Sequence, residues 1–263
     1  MEPNPSAAGP ARQVSLIPVL NDNYVFVLHG EGTGGEGPGQ AAVVDPAVAP
    51  PVIAWLEQRG LELAAILHTH HHSDHIGGTP ELLRRWPRAA VIASGADRER
   101  IPLQTLAVAG GDQLTLLGRR VQVLAVPGHT HHHIAFYLPP LQATGGGELF
   151  CGDTLFAGGC GRLLEGTPEQ MQASLQQLAA LPADTRVWCA HEYTEANLRW
   201  AAAQEPADAA IAERLAAVTI ARAAGQPTIP STIALEQATN LFVRARTSAE
   251  LRQRRGSKDL WRG

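Results

Sequence analysis

The segment Thr69-His70-His71-His72-Ser73-Asp74-His75 places four imidazoles and one carboxylate within seven residues, just after the apolar run Leu63–Leu67. A buried strand that ends in such a loop projects His70 and His72, two apart, to the same side, where they can hold one cation. Asp74 and His75 lie a little further round and can hold a second. There Gly77-Gly78 is expected to turn the backbone tightly and Thr79-Pro80-Glu81 to cap the next helix. Imidazole with carboxylate suits zinc, iron or manganese, and the absence of thiolates from the segment argues against a closed structural zinc site. A solvated histidine tract is the bland alternative. The order His-x-His-x-Asp-His directly after a strand argues against it.

The same arrangement recurs at His129, Asp153 and His191, each a ligand-type residue at the end of a β-rich run. Strand ends on one edge of a sandwich gather in space, so separated positions can build one site. The expected sharing is His70, His72 and His129 on one ion, Asp74, His75 and His191 on the other, and Asp153 between them. Two such ions share a water and turn it into hydroxide near neutral pH.

Periodicity and turn residues give an α+β order. Strands are expected at Val14–Pro18, Tyr24–His29 and Ala41–Asp45 as an antiparallel meander, with a flexible Gly-rich extension over Gly30–Gly39. Helix and strand then alternate: helix Pro51–Arg59 stopped by Gly60, strand Leu63–Leu67, helix Pro80–Trp86, strand Ala90–Ala93. Strands Gln113–Leu117, Arg119–Ala125, His133–Leu138, Leu149–Gly152 and Arg186–Cys189 follow, with one helix begun by Thr167, Pro168 and Gln170 as a capping box. After His191 only helices are expected: Thr194–Gln204, Pro206–Ala224 and Ser231–Arg246. The expected division is a lead-in over 1–12, a main domain over 13–193 carrying the metal site, and a small helical domain over 194–263.

Composition narrows the functions. With 44% hydrophobic and 17% charged residues, the chain of 263 residues has ample material for a core. A net charge of −4 offers no reason to expect nucleic acid or an anionic membrane as partner. No stretch approaches membrane-spanning length, and the Met-Glu-Pro-Asn-Pro-Ser start resembles no secretory leader. Cys151, Cys160 and Cys189 are too few for a disulfide framework, so a reducing, cytoplasmic setting is expected. A monomer is expected as well. The tail is different: residues 241–263 hold seven basic side chains against Glu250 and Asp259, a candidate anion site.

The order His-x-His-x-Asp-His, with Gly128-His129-Thr130, Gly152-Asp153-Thr154-Leu155-Phe156 and Ala190-His191-Glu192-Tyr193-Thr194, resembles the metallo-β-lactamase superfamily, and within it glyoxalase II, the hydroxyacylglutathione hydrolases. Leu20–Tyr24, Val43–Pro46, Gly159–Arg162 and Glu165–Pro168 extend the resemblance through most of the main domain. It implies an αββα sandwich with a C-terminal helical domain and two divalent ions, zinc foremost. The implied activity is hydrolysis of S-D-lactoylglutathione to glutathione and D-lactate, the second step of methylglyoxal detoxification, with Asp74 accepting or relaying the proton. It also implies that Arg162, Tyr193, Arg255 and Lys258, the only lysine in the chain, hold the glutathione part. Leu164 replaces an aromatic residue frequent in the family, Arg162 replaces a lysine, and His132, with His131, is expected to add bulk near the site. The alternative of the same fold is a persulfide dioxygenase using a single iron. Among the other histidines, His29 is expected in solvent, His68 and His71 to point away from the ions, and His133 to orient a ligand. Cys160 is expected to pack rather than react.

Overall fold

A computed structural model describes residues 13–30, 39–141 and 146–262; the expected lead-in and most of the Gly-rich extension lie outside them. Strands β1 (Gln13–Val19), β2 (Asn23–His29) and β3 (Gly39–Val44) pair antiparallel, as the meander requires. Helix α1 (Pro50–Gln58) then crosses to β4 (Leu61–Leu67), parallel to β3. The one-turn α2 (Ser73–Ile76) and α3 (Thr79–Arg85) lead to β5 (Ala90–Ser94) and the short β6 (Leu106–Val108), both added in parallel.

These strands are apolar at consecutive positions because both faces are covered. Val25, Val27, Ala41 and Val43 pack against Val52 and Leu56 of α1 and Leu82 of α3. The alternate positions Phe26, Leu28, Ala42 and Val44 face the opposite core. Phe26 there meets Phe150 and Trp188 of a second sheet at centroid distances of 5.7 and 5.5 Å.

The second sheet starts with β7 (Gln113–Leu116), β8 (Arg119–Ala125), β9 (Ile134–Leu138) and β10 (Glu148–Gly152), all antiparallel to their sequence neighbours. A two-rung hairpin, β11 (Leu155–Phe156) and β12 (Gly159–Cys160), precedes α4 (Pro168–Ala179), whose capping box between Thr167 and Gln170 is present. Strand β13 (Arg186–Cys189) pairs parallel with β10. Every residue of β9 and β10 is buried, so this sheet too is covered on both sides, with Met171, Leu175 and Leu178 of α4 in its core. The result is helix, sheet, sheet, helix.

The last part is α5 (Thr194–Gln204), α6 (Ala209–Ala223), β14 (Ser231–Thr232), α7 (Ile233–Thr239) and α8 (Ser248–Leu260). Two expectations fail here. Strands do not stop at His191, because Ser231 and Thr232 pair with Val187 and Arg186. A two-residue strand has no periodicity of its own, and its partner alone defines it. The helix expected over Ser231–Arg246 ends at Thr239: Asn240 spends its side chain on the carbonyls of Phe156 and Gly159 and on the amide of Phe242. Thr247 then caps α8, which carries the basic tail. Among the described residues no helix is long and apolar enough to cross a membrane.

Candidate metal centre

Strand directions assemble the site. Since β9 is antiparallel to both β8 and β10, and β13 is parallel to β10, strands β8, β10 and β13 all finish at one edge. Their ends lead to His129, Asp153 and His191, and β4 brings the loop from His70 to His75 across from the first sheet. The close approach needs glycine at 152, where φ is +48° and an added Cβ would lie 2.2 Å from Thr69 Oγ1. Gly77 and Gly78 act by the same closeness and not by turning: a Cβ there would meet the carbonyls of Ala47 and Pro46 at 2.6 and 2.7 Å. Thr79 does not cap α3 either. Its hydroxyl bonds Nε2 of His68 at 2.8 Å.

Potential ligand atoms of His70, His72 and His129 converge in one group, and those of Asp74, His75 and His191 in another. In the first, His72 Nδ1 lies 3.0 Å from His70 Nε2 and 3.1 Å from His129 Nε2. In the second, Asp74 Oδ2 lies 3.7 Å from His75 Nε2 and 3.5 Å from His191 Nε2. Asp153 stands between the two. Its Oδ1 is 3.4 Å from both His75 Nε2 and His191 Nε2, and its Oδ2 is 3.4 Å from His129 Nε2.

Four of the rings are aimed by their other nitrogen. His75 Nδ1 meets Asp45 at 3.1 Å, His191 Nδ1 meets Asp22 at 2.8 Å, His129 Nδ1 meets the Arg162 carbonyl at 2.9 Å, and His70 Nδ1 meets Thr69 Oγ1 at 3.1 Å. Asp45 also accepts from the amide and hydroxyl of Thr69 and so is already committed. His75 Nε2 and Asp153 Oδ1 remain buried without any hydrogen-bond partner. Inward-facing, orphaned donor atoms with oriented rings are what divalent cations require. The donor set fits.

Electrostatics agree with that chemistry. Burial, and then neighbouring rings, hold His70 far below the ordinary imidazole value and His133 at about 3. Burial works against ionised Asp153, yet His75 and His191 keep its carboxyl well below the usual range. His191 is the reverse case: burial lowers it, but Asp153 and Asp22 carry it to about 9.

A cavity of about 590 Å³ opens beside the centre, lined by His129, Asp153 and Phe156 together with Arg162, Tyr193, Arg255 and Lys258. The four residues singled out for the glutathione part thus share one cavity, in different states. Arg162 is 72% exposed. The Tyr193 ring lies parallel to His191 at 4.8 Å. Arg255 is engaged, donating to the Cys160 carbonyl at 2.8 Å and pairing with Asp259 at 2.9 Å. Lys258 donates to the Ala196 carbonyl at 2.8 Å and faces Trp261 at 4.8 Å; burial, then Arg255, lowers it to about 8.

Other histidines fall out as follows. His133 accepts the Asp153 amide through Nε2 at 3.2 Å, and so supports a cluster residue. His68 and His71 bond Thr79 and Asp97, away from the two groups. His131 and His132 do not crowd the cavity: both are exposed and line a separate groove with Gly95 and Ala107, because residues 131–132 form an outward turn. His29 is not simply solvated, since it bonds Ser15 Oγ at 2.8 Å and packs edge-on against Trp55. The sequence alone assigns no role to Asp22, Asn23, Asp45 or Trp261. Only their places in or near the recurring motifs marked them.

Comparison with known proteins follows the same lines. The family described as metallo-beta-lactamase superfamily matches residues 35–191, and hydroxyacylglutathione hydrolase C-terminus matches residues 192–261. A hydroxyacylglutathione hydrolase of Synechococcus sp. (strain CC9605) is 57% identical over 94% of this chain and 96% of its own length. One from Prochlorococcus marinus (strain MIT 9303) is 55% identical over 100% of both chains. Among solved structures, ETHE1 from Myxococcus xanthus superposes with a TM-score of 0.67 over 95% of this chain and 92% of that one, at 23% identity, which is a likeness of fold alone.

Proposed function

The chain belongs to the metallo-β-lactamase superfamily and, within it, to the hydroxyacylglutathione hydrolases, and on that premise we propose that it hydrolyses S-D-lactoylglutathione to glutathione and D-lactate. The supporting observation is Asp153, which faces both histidine groups at 3.4 Å and also lines the cationic cavity. His70, His72 and His129 would hold one divalent ion, Asp74, His75 and His191 the other, and Asp153 both, with zinc foremost. Such ions supply a water of lowered pKa and a Lewis acid for the acyl oxygen. Asp74, whose Oδ2 is fixed by Asn23 at 3.1 Å, accepts the proton of the attacking water. Arg162, Lys258 and the Tyr193 ring hold the peptide part, with Arg255 bracing the wall. A thiolate of pKa near ~8.5 leaves without a strong acid. Three free, buried cysteines suit a reducing cytoplasm, where we place the protein as a monomer.

The test is release of free thiol from lactoylglutathione, against lactoyl-coenzyme A and a β-lactam, with metal counted per chain. Two ions and oxygen-independent thiol release are expected; one iron and an oxygen requirement would point to the dioxygenase instead.

Lys258 sets a pH dependence. Its ammonium, lowered to about 8, loses its proton above that pH and with it the attraction for a carboxylate. KM for the glutathione thioester should therefore rise from pH 8 upward while kcat stays level. Lys258→Met should raise KM roughly tenfold, the loss of about 1.4 kcal/mol, and flatten that alkaline rise. Steady-state kinetics between pH 6.5 and 9 check both.

A further inference from the structure

A cluster of charged groups lies outside both the metal groups and the cavity. Asp97, 1% exposed, takes Nε and Nη2 of Arg100 on one oxygen at 2.9 and 2.5 Å. Its other oxygen meets His71 Nδ1 at 3.3 Å. The remaining Arg100 nitrogen, Nη1, reaches Glu165 at 2.6 Å. Glu165 in turn accepts the backbone amide of His131 at 2.8 Å, and its own amide donates to the carbonyl of His129 at 3.3 Å.

Each end of this chain of contacts stops next to a cluster histidine. His71 immediately precedes His72; Glu165 holds the turn of His129 from two sides. An ordinary exposed ion pair contributes little to stability. Here one planar guanidinium is gripped by two carboxylates, and its Nη1 also lies 3.2 Å from His71 Nε2, which itself stands 3.5 Å from Glu165, so the guanidinium fastens the two histidine-bearing turns together. The short approach of His72 Nδ1 to His129 Nε2, 3.1 Å, is the distance at stake.

We propose that Arg100 and Glu165 are positioning residues for the His70, His72 and His129 half of the centre, a role that presupposes the dinuclear site proposed above. Groups that orient metal ligands typically change metal affinity 10- to 100-fold. The test is chelator competition on the full-length, metal-loaded protein for Glu165→Gln and Arg100→Met, with cobalt(II) spectra to follow each ion. One ion should be held roughly 10- to 100-fold more weakly and the other as before. The double variant should lose no more than the worse single, because the two residues act as one device. Arg100→Lys, which can meet only one carboxylate well, should fall between. If Arg100→Met fails to fold because Asp97 is left unpaired, Glu165→Gln carries the test by itself. Variants that melt earlier yet keep both affinities within twofold would overturn the proposal and leave the cluster as scaffolding. A wild-type chain that binds fewer than two ions would instead overturn the dinuclear centre, and this role with it.

Discussion

Asp153→Asn is expected to lower kcat/KM for the thioester about 10³-fold, and Asp74→Ala to abolish turnover on a comparable scale, both with the fold retained. Ionic stabilisation at such a centre is worth several kcal/mol, and about 4 kcal/mol converts to three decades at 1.36 kcal/mol each. The two carboxylates differ in what they lose. Asp153 is 7% exposed and faces both clusters, so asparagine keeps its volume but removes the anion the two ions would share. Metal content should fall with activity. Asp74 is a rim group, its side chain 39% exposed and its Oδ2 held by Asn23, so alanine there removes a ligand and the proton acceptor at little cost in packing. His191 offers a readout independent of turnover: in metal-free Asp153→Asn, it loses a carboxylate that helps carry it to about 9, and its titration by NMR should move down. Activity within tenfold of wild type in Asp153→Asn would sink the shared-ion arrangement.

What the sequence discloses follows from how local each signal is. The histidine loop and the strands before it are legible because four of the seven cluster residues fall in one segment and the apolar runs carry their own period. The groups that aim the rings are not, since Asp22 reaches His191 across 169 positions and Asp45 reaches His75 across 30. No spacing rule foresees such pairs. The short strands β6, β11, β12 and β14 exist only through their partners, and so escape any reading of propensity. The misplaced last helix is another matter. Thr247-Ser-Ala-Glu250 has the pattern of a helix start, and the Glu250 amide indeed donates to the Thr247 hydroxyl at 3.2 Å. The apolar residues Leu241 and Phe242 continue past Asn240 in the sequence, whereas tertiary bonds of that asparagine end the helix.

Glu236→Ala should cause the largest loss of stability, about 3–5 kcal/mol, and a fall in Tm of roughly 10 °C for a chain of this size. The Glu236 and Arg214 side chains are 1% and 6% exposed and meet at 2.6 Å; removing the carboxylate leaves a buried cation with only the hydroxyls of Thr239 and Ser231. Glu236 also reaches out of the helical region to the site. Its second oxygen accepts the Gly158 amide at 2.8 Å and Asn240 Nδ2 at 2.9 Å, and so pins the β11–β12 hairpin whose Phe156 and Cys160 line the cavity. These two roles separate on one further variant. Replacing the whole pair, Arg214→Met with Glu236→Met, removes both buried charges and should restore most of the lost stability. It leaves the Gly158 amide without its acceptor, so KM should remain several-fold above wild type although Tm recovers. Recovery of KM together with Tm would show that the buried pair serves folding alone and that the hairpin needs no anchor from the helical region.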